Sequence, residues 1–379
     1  MFKKITIFFL IIIILFTTNT SRSTSINSLD SYYYVLALGI DLAENDNLSV
    51  TIQIIQNSSS ESSSSSAEAP KIYSAEGKTI NSCISILNNS LTKKINLSHC
   101  SSIIFSEEII KEHGISSFIS DLGNSTEIRD NAYIIISNTT SKEFIENISN
   151  TNEEFNSKIY DEFLSSSYDT GYIPECSFGD IFYNTKNENS TSFVPYIVNK
   201  DGLYQNDGSI VLKKGNFISK LSLEENIYLN LLDNTIESSI ITIENPFNSS
   251  EFIDLGMKSY KKTKYKTYLV GSSPYIEINI YPEFIIKSSG RNYDYTNENN
   301  IEILENSLNE LIMLKSSNLL YKLTKELNTD PLNISNIYKI HFLTLDEYQK
   351  LNLDKTLKNS YFKINVNTKV KTSNLFNKQ

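Results

Sequence analysis

Between positions 95 and 137 apolar runs alternate with polar breaks, and the rest of the chain is arranged around that stretch. Residues 97–105 (LSHCSSIIF), β-branched at Ile103 and Ile104, predict a buried strand. Ser106 then reads as a helix N-cap, with Glu107 and Glu108 in the first turn, where the helix dipole favours carboxylates. Ile109, Ile110, Ile115, Phe118, Ile119 and Leu122 recur at helical spacing, and Gly114 breaks or caps the run. Residues 131–137 (NAYIIIS) form a second strand. Strand, helix and strand in this order have the format of a βαβ crossover, with the two strands parallel or near neighbours in one sheet.

Upstream, residues 32–41 (YYYVLALGID) and 48–56 (LSVTIQIIQ) predict two strands joined by the short polar turn AENDN, as in a hairpin. Residues 58–66 are serine at eight of nine positions, a composition that buries no core and predicts a mobile loop. Residues 71–75 resume as a strand, and Gly77 and Thr79 lead into a helix with Ile80, Ile84, Leu87 and Leu91 on one face. Downstream, residues 141–148 predict a short helix, residues 150–160 are polar and ill-defined, and residues 178–182 (FGDIF) suit a small helix or strand. Residues 193–198 (FVPYIV) are extended, because Pro195 excludes helix. The stretch 200–208 (KDGLYQNDG), with two Asp-Gly pairs, marks a domain boundary.

Beyond it, residues 209–212 and 217–221 predict a hairpin, residues 223–232 a helix, and residues 238–243, 267–270 and 275–280 strands. Residues 301–327 are the strongest helical pattern. Ile301, Leu304, Leu308, Leu311, Leu319, Leu323 and Leu327 share one stripe, and Asp330-Pro331 stops it. Residues 361–370 (YFKINVNTKV) close the chain as an alternating strand. The fold class is α+β and multi-domain: an N-terminal mixed-sheet domain over residues 28–198 and a C-terminal α+β domain over residues 203–371.

Length changes the picture little: 379 residues exceed what one core usually serves. A net charge of −10 argues against nucleic acid as the main ligand, since a phosphate-binding surface needs a local basic excess. The most basic window, residues 258–266 (KSYKKTKYK), could bind anionic lipid or a partner; a solvated strand face is the preferred reading. Cys83, Cys100 and Cys176 form an odd, sparse set that is neither a disulfide framework nor a zinc ribbon, and sequence does not choose a pair.

Residues 1–22 have the build of an export signal or anchor, with Lys3 and Lys4 before the unbroken apolar run 5–16. As a helix that run covers about 18 Å, short of the roughly 30 Å hydrocarbon core. The preceding lysines place the N-terminus in the cytoplasm and the remainder outside. The TTNTSRSTS that follows offers only a weak cleavage site, so retention is expected.

Candidate chemistry is thin. No Walker loop, dinucleotide-binding glycine fingerprint, HExxH or G-x-S-x-G occurs, and Gly39 before Asp41 carries no signature. His99 and Cys100, with His113, suggest a metal set. Neighbours on a strand point to opposite faces, however, so a partly buried thiol and a satisfied imidazole are preferred. Glu107 and Glu108 suit acid/base work, but a helix start explains both. Arg129-Asp130 reads as a turn ion pair. The expectation is no catalytic, cofactor-binding or metal-binding residue, and no cofactor.

Several weak motifs in the right order carry a resemblance: YVLALGID, a strand ending near Gln53 and Gln56, SAEGKTI, HCSSIIFSEEIIKEHGI, IRDNAYIIIS, GLYQNDGSIVLKKGNFISKLSLEEN, the long helix from Ile301, and the closing YFKINVNTKV. Over residues 32–370 the chain resembles the C subunits of spore germinant receptors, the Ger(x)C family. The resemblance implies a mixed α and β multi-domain fold with room for a small third domain between the halves. It also implies a non-catalytic, outward-facing protein of the spore inner membrane. Its expected partners are membrane-embedded receptor subunits, in a complex that senses a small-molecule nutrient. The family's lipobox cysteine is missing here, because the first thiol is Cys83. Acylation at the usual place is therefore ruled out: the hydrophobic segment stays as an uncleaved anchor, the partner subunits hold the protein, or it is released, and retention is expected. The alternative is a generic exported solute-binding protein or adhesin.

Overall fold

The computed structural model of the chain describes residues 31–54, 70–124, 127–150, 170–186, 190–236, 238–271, 273–288, 295, 297–350 and 356–371. The apolar run 5–16, the serine-rich stretch 57–69 and residues 151–160 lie outside them. Among the described residues no helix is long and apolar enough to cross a membrane.

Among the described residues the first sheet has nine strands. β1 (Tyr32–Ala43) and β2 (Asn47–Ile54) form the expected antiparallel hairpin, and β3 (Lys71–Gly77) adds to its outer edge. Helix α1 (Ile80–Ser90) starts at Thr79, whose side chain accepts from the Ser82 amide while Ser82 reciprocates, a capping box. It leads to the short strand β4 (Lys94–Asn96), which lies parallel to the start of β1. β5 (Ser102–Ser106) and β6 (Tyr133–Ser137) run parallel to β1 and to each other, joined through α2 (Glu107–His113) and α3 (Ser116–Asn124). This is the βαβ unit expected from the pattern. Gly114 ends α2 at φ +68°, a left-handed conformation that glycine adopts without a Cβ penalty.

The strand expected over 97–105 is shorter than the pattern suggested, because residues 97–101 turn. The Asn96 side-chain oxygen accepts from both the backbone amide and the hydroxyl of Ser98, and this local bond competes with the ladder. Ser106 holds the N-cap position of α2 without a side-chain cap bond.

Helix α4 (Ser141–Asn150) packs on the opposite face of the sheet, where Phe144, Ile145 and Ile148 meet Ala37, Ile104, Ile135 and Ile197. Helices α1, α2, α3 and α5 (Phe178–Thr185) cover the first face. With both faces covered, β5 and β6 read as unbroken apolar runs. The chain then enters β7 (Thr191–Lys200), parallel to β6, and turns back into β8 (Leu203–Lys213) and β9 (Asn216–Leu221). The Asp-Gly stretch 200–208 therefore begins with the β7–β8 turn, and β8 and β9 complete the first sheet.

Helix α6 (Leu223–Asp233), capped by a Ser222–Glu225 box, is buried on almost every side. It packs in one apolar cluster with Val211 and Leu221 of the first sheet and with the core of the second. Its polar residues are satisfied there. Asn226 donates to the Tyr172 carbonyl (2.9 Å) and accepts from Ser209 (2.8 Å), while Asn230 donates to the carbonyls of Gly171 (3.0 Å) and Ile173 (2.9 Å).

The second sheet is ordered β10 (Ser238–Asn245), β11 (Asn248–Val270), β12 (Ser273–Ser288) and β13 (Tyr361–Val366), with β14 (Lys369–Lys371) beside the far end of β12. The strands expected at 267–270 and 275–280 are parts of one long hairpin, and the closing strand is broken at residues 367–368. Helix α7 (Glu298–Tyr321) runs along one face and continues as a π-helical turn, Lys322–Glu326, ending before Asp330. Among the described residues there is no further sheet between the two.

Candidate functional site

Ligands of open α/β sheets bind beyond the carboxyl ends of parallel strands. Two carboxylates stand there. Asp41 lies near the end of β1 and is 4% exposed. It accepts from the Ser141 backbone amide (2.6 Å), the Ser141 hydroxyl (2.7 Å) and the Lys142 amide (3.1 Å), so it caps α4 from another element. Gly39 leaves room for this joint, since a Cβ there would lie 2.3 Å from the Ser141 hydroxyl oxygen. The pair that carried no signature in the sequence is thus a built junction between sheet and helix.

Glu107 follows β5. Its carboxylate is met by Lys111 one turn on (2.5 Å), by Lys220 of β9 (2.9 Å) and by the Tyr196 hydroxyl of β7 (2.5 Å). Burial by itself would raise its pKa. The hydrogen bonds from Lys111, Tyr196 and Lys220 outweigh that and hold the carboxyl below its ordinary value. The Tyr196 hydroxyl is pushed up by burial and by the neighbouring carboxylate. A glutamate held ionised is a poor proton donor near neutral pH, and three donors already occupy it. The arrangement ties α2 to β7 and β9. Sequence located Glu107 in the first turn but could not foresee Tyr196 and Lys220, which only the sheet order brings to it.

The remaining candidates do not converge. His99 is exposed, its ring edge-on to Tyr34 (4.7 Å), and Cys100 is buried with its thiol on the Ser102 carbonyl (3.3 Å). They sit on a turn, not a strand, yet still point apart. His113 is exposed at the end of α2. Arg129 and Asp130 make the expected turn through their carbonyls, which accept from Ala132 and Gly179. Their side chains are not among the ion pairs of the described residues. Among those residues no group of three or more His, Cys, Asp or Glu could hold a metal ion. Cys83, Cys100 and Cys176 are free and buried; burial pushes the Cys100 thiol up to about 12 and the Cys176 thiol well above its ordinary value.

A cleft of about 370 Å³ opens where α5, the start of β7, the end of α6 and the loop after α7 meet. Its size suits a small polar molecule. Its polar lining is largely engaged: Asp180 caps α5 through Ser177, Asn230 holds the 171–173 backbone, and Asp330 accepts from the amides of Ile334 and Ser335.

Two family matches follow one another along this chain. Residues 25–199 match the family described as "Spore germination protein N-terminal domain", and residues 207–374 match "Spore germination B3/ GerAC like, C-terminal". The chain belongs to the GerAC-like family of spore germination proteins. A solved structure titled "Crystal Structure of the GerBC protein" superimposes with a TM-score of 0.58 at 16% identity, covering 88% of this chain and 96% of that one. At that identity the likeness speaks for the fold. No match was found among curated proteins. A role in spore germination follows from membership of the GerAC-like family.

Proposed function

We propose that this chain is the non-catalytic C subunit of a spore germinant receptor. It faces outward from the spore inner membrane and assembles with membrane-embedded receptor subunits. The observation that carries the reading is the pair of GerAC-like matches in order across residues 25–199 and 207–374, which leaves the apolar run 5–16 ahead of them. In this reading 1–22 is the signal or anchor segment, and residues 28–198 and 203–371 are the two receptor domains. The saturated Asp41 and Glu107 support a coupling role without catalysis, because both carboxylates serve to join elements.

A strain lacking the gene should sporulate normally and fail to germinate on particular nutrients; normal nutrient germination, with no paralogue compensating, overturns the proposal. Co-purification of the chain with multi-span subunits from spore membranes tests the assembly. N-terminal sequencing tests the anchor, since a mature start near residues 21–25 rules out retention. The cleft favours one rival, an exported solute-binding protein, which would bind its nutrient as the purified chain alone.

A further inference from the structure

The basic window and a set of exposed apolar residues meet on one hairpin. From residue 255 to residue 276 the chain has lysines at 258, 261, 262, 264 and 266 and no acidic residue, although its net charge is −10. This stretch is the distal half of β11 and its turn into β12. Thr263 and Tyr265 face inward, and their hydroxyls donate to the carbonyls of Leu231 and Leu232 in α6. Strand alternation therefore sends Lys262, Lys264 and Lys266 outward, and all three are exposed.

The outer face is graded along its length. Tyr268 pairs with Tyr275, and Tyr275 with Tyr361 of β13, which sets a row of tyrosines across three strands. Tyr268 is 46% and Tyr361 64% exposed. One row behind lie Lys266, Glu277 and Lys363, and behind those Lys264 and two asparagines, Asn279 and Asn365. Ahead of the tyrosines the tip carries Leu269 and Val270, the latter 64% exposed, and then Gly271 at φ +65° with open space around it. Beside the tip the segment bearing Ile340 (78% exposed) and Leu343 (97%) is clamped to the hairpin. His341 bonds Thr267 (2.7 Å), and the Tyr338 hydroxyl donates to the carbonyls of Tyr268 (2.8 Å) and Tyr275 (2.9 Å).

We propose that the β11–β12 tip is a lipid-binding element that seats the second sheet on an anionic phospholipid surface. The order of chemistry matches the depth of a bilayer interface: apolar tip, tyrosine row, then lysines. Two residues of strand span about 7 Å, so Val270 reaches about 7 Å past the tyrosines, and Lys266 and Lys264 stand about 7 and 14 Å behind them. Tyrosines settle at the interface, apolar side chains just below it, and lysines among acidic headgroups. An acidic protein partner would satisfy the lysines but gives no reason for the apolar tip. The proposal deepens the membrane-facing reading above and rests on it for the biological setting, whereas its test needs no germination.

The test uses the full-length chain in phosphatidylcholine vesicles with and without phosphatidylglycerol. A polarity-sensitive fluorophore is placed at Val270→Cys, and at Glu108→Cys as a control; the three native thiols are buried and leave the label specific. The Val270 probe should shift to the blue and be quenched by acyl-brominated lipid only with phosphatidylglycerol present, while the Glu108 probe should not respond. The triple variant Lys262→Gln, Lys264→Gln, Lys266→Gln should lower the insertion equilibrium by on the order of a hundredfold, about fivefold per lysine. Should the triple variant lose its fold by circular dichroism, the three single variants make the same comparison at about fivefold each. A Val270 probe that stays in water with both lipids overturns the proposal. So does one shielded only when a membrane-embedded protein subunit is added, which would make the face a protein interface. A failed deletion phenotype would instead count against the receptor role.

Discussion

The two sheets differ in how they are covered. The strands at the centre of the first sheet are buried on both faces, with α4 on one side and four helices on the other. β12 of the second sheet alternates half-buried and buried residues for fourteen positions, because helices cover only one face of it. In the sheet closed on both sides, Asp41 is bonded internally to Ser141 and Lys142. A sheet open on one side keeps a free surface, and that is where an external contact can form. Asp41 and Glu107 of the first half thus join elements to one another, and the second half carries a sheet face that helices leave open.

This contrast can be broken or sharpened by mutation, beginning where the effect is largest. Phe144→Ala empties a fully buried site between α4 and the first sheet, against which the Tyr204 ring packs edge-on at 4.7 Å. It should cost about 3–5 kcal/mol in chemical denaturation. Asp41→Ala leaves the first amides of α4 and the Ser141 hydroxyl without their acceptor and should cost about 2–4 kcal/mol. Gly39→Ala, whose Cβ would drive the Ser141 hydroxyl from Asp41, should cost about 1–3 kcal/mol.

Glu107→Gln acts through pH. The folded carboxyl binds its proton less tightly than the unfolded one, so its stabilisation is fully present above the ordinary value of 4.5 and fades as the pH falls through the lowered folded value. Wild type should lose stability over that acid window, and the variant should lack that part of the slope in denaturation curves recorded from pH 7 downward. At the small end, Tyr268→Ser on the open face should change stability by no more than about 0.5 kcal/mol while weakening vesicle insertion of the tip. A large loss of stability there would mean that the outer face of the second sheet is part of the fold's core after all.

Local chemistry was legible wherever one short stretch holds all the information. The unbroken apolar runs at β5 and β6, the Thr79 and Gly77 signals before α1, the two hairpins around residues 44–46 and 214–215, and the leucine stripe of α7 all rest on nearest-neighbour periodicity and turn chemistry. The order of weak motifs likewise sufficed to reach the family. Partnerships across long separations were settled only by tertiary structure. Asp41 caps a helix that begins 100 residues later, and Glu107 meets a tyrosine 89 residues away. The lysine window gained its tyrosines and apolar tip only when β11, β12 and β13 came into register. The physical reason is that a side chain's propensity is written in its own neighbourhood, whereas its partner is fixed by sheet order and register, which depend on the packing of the whole chain.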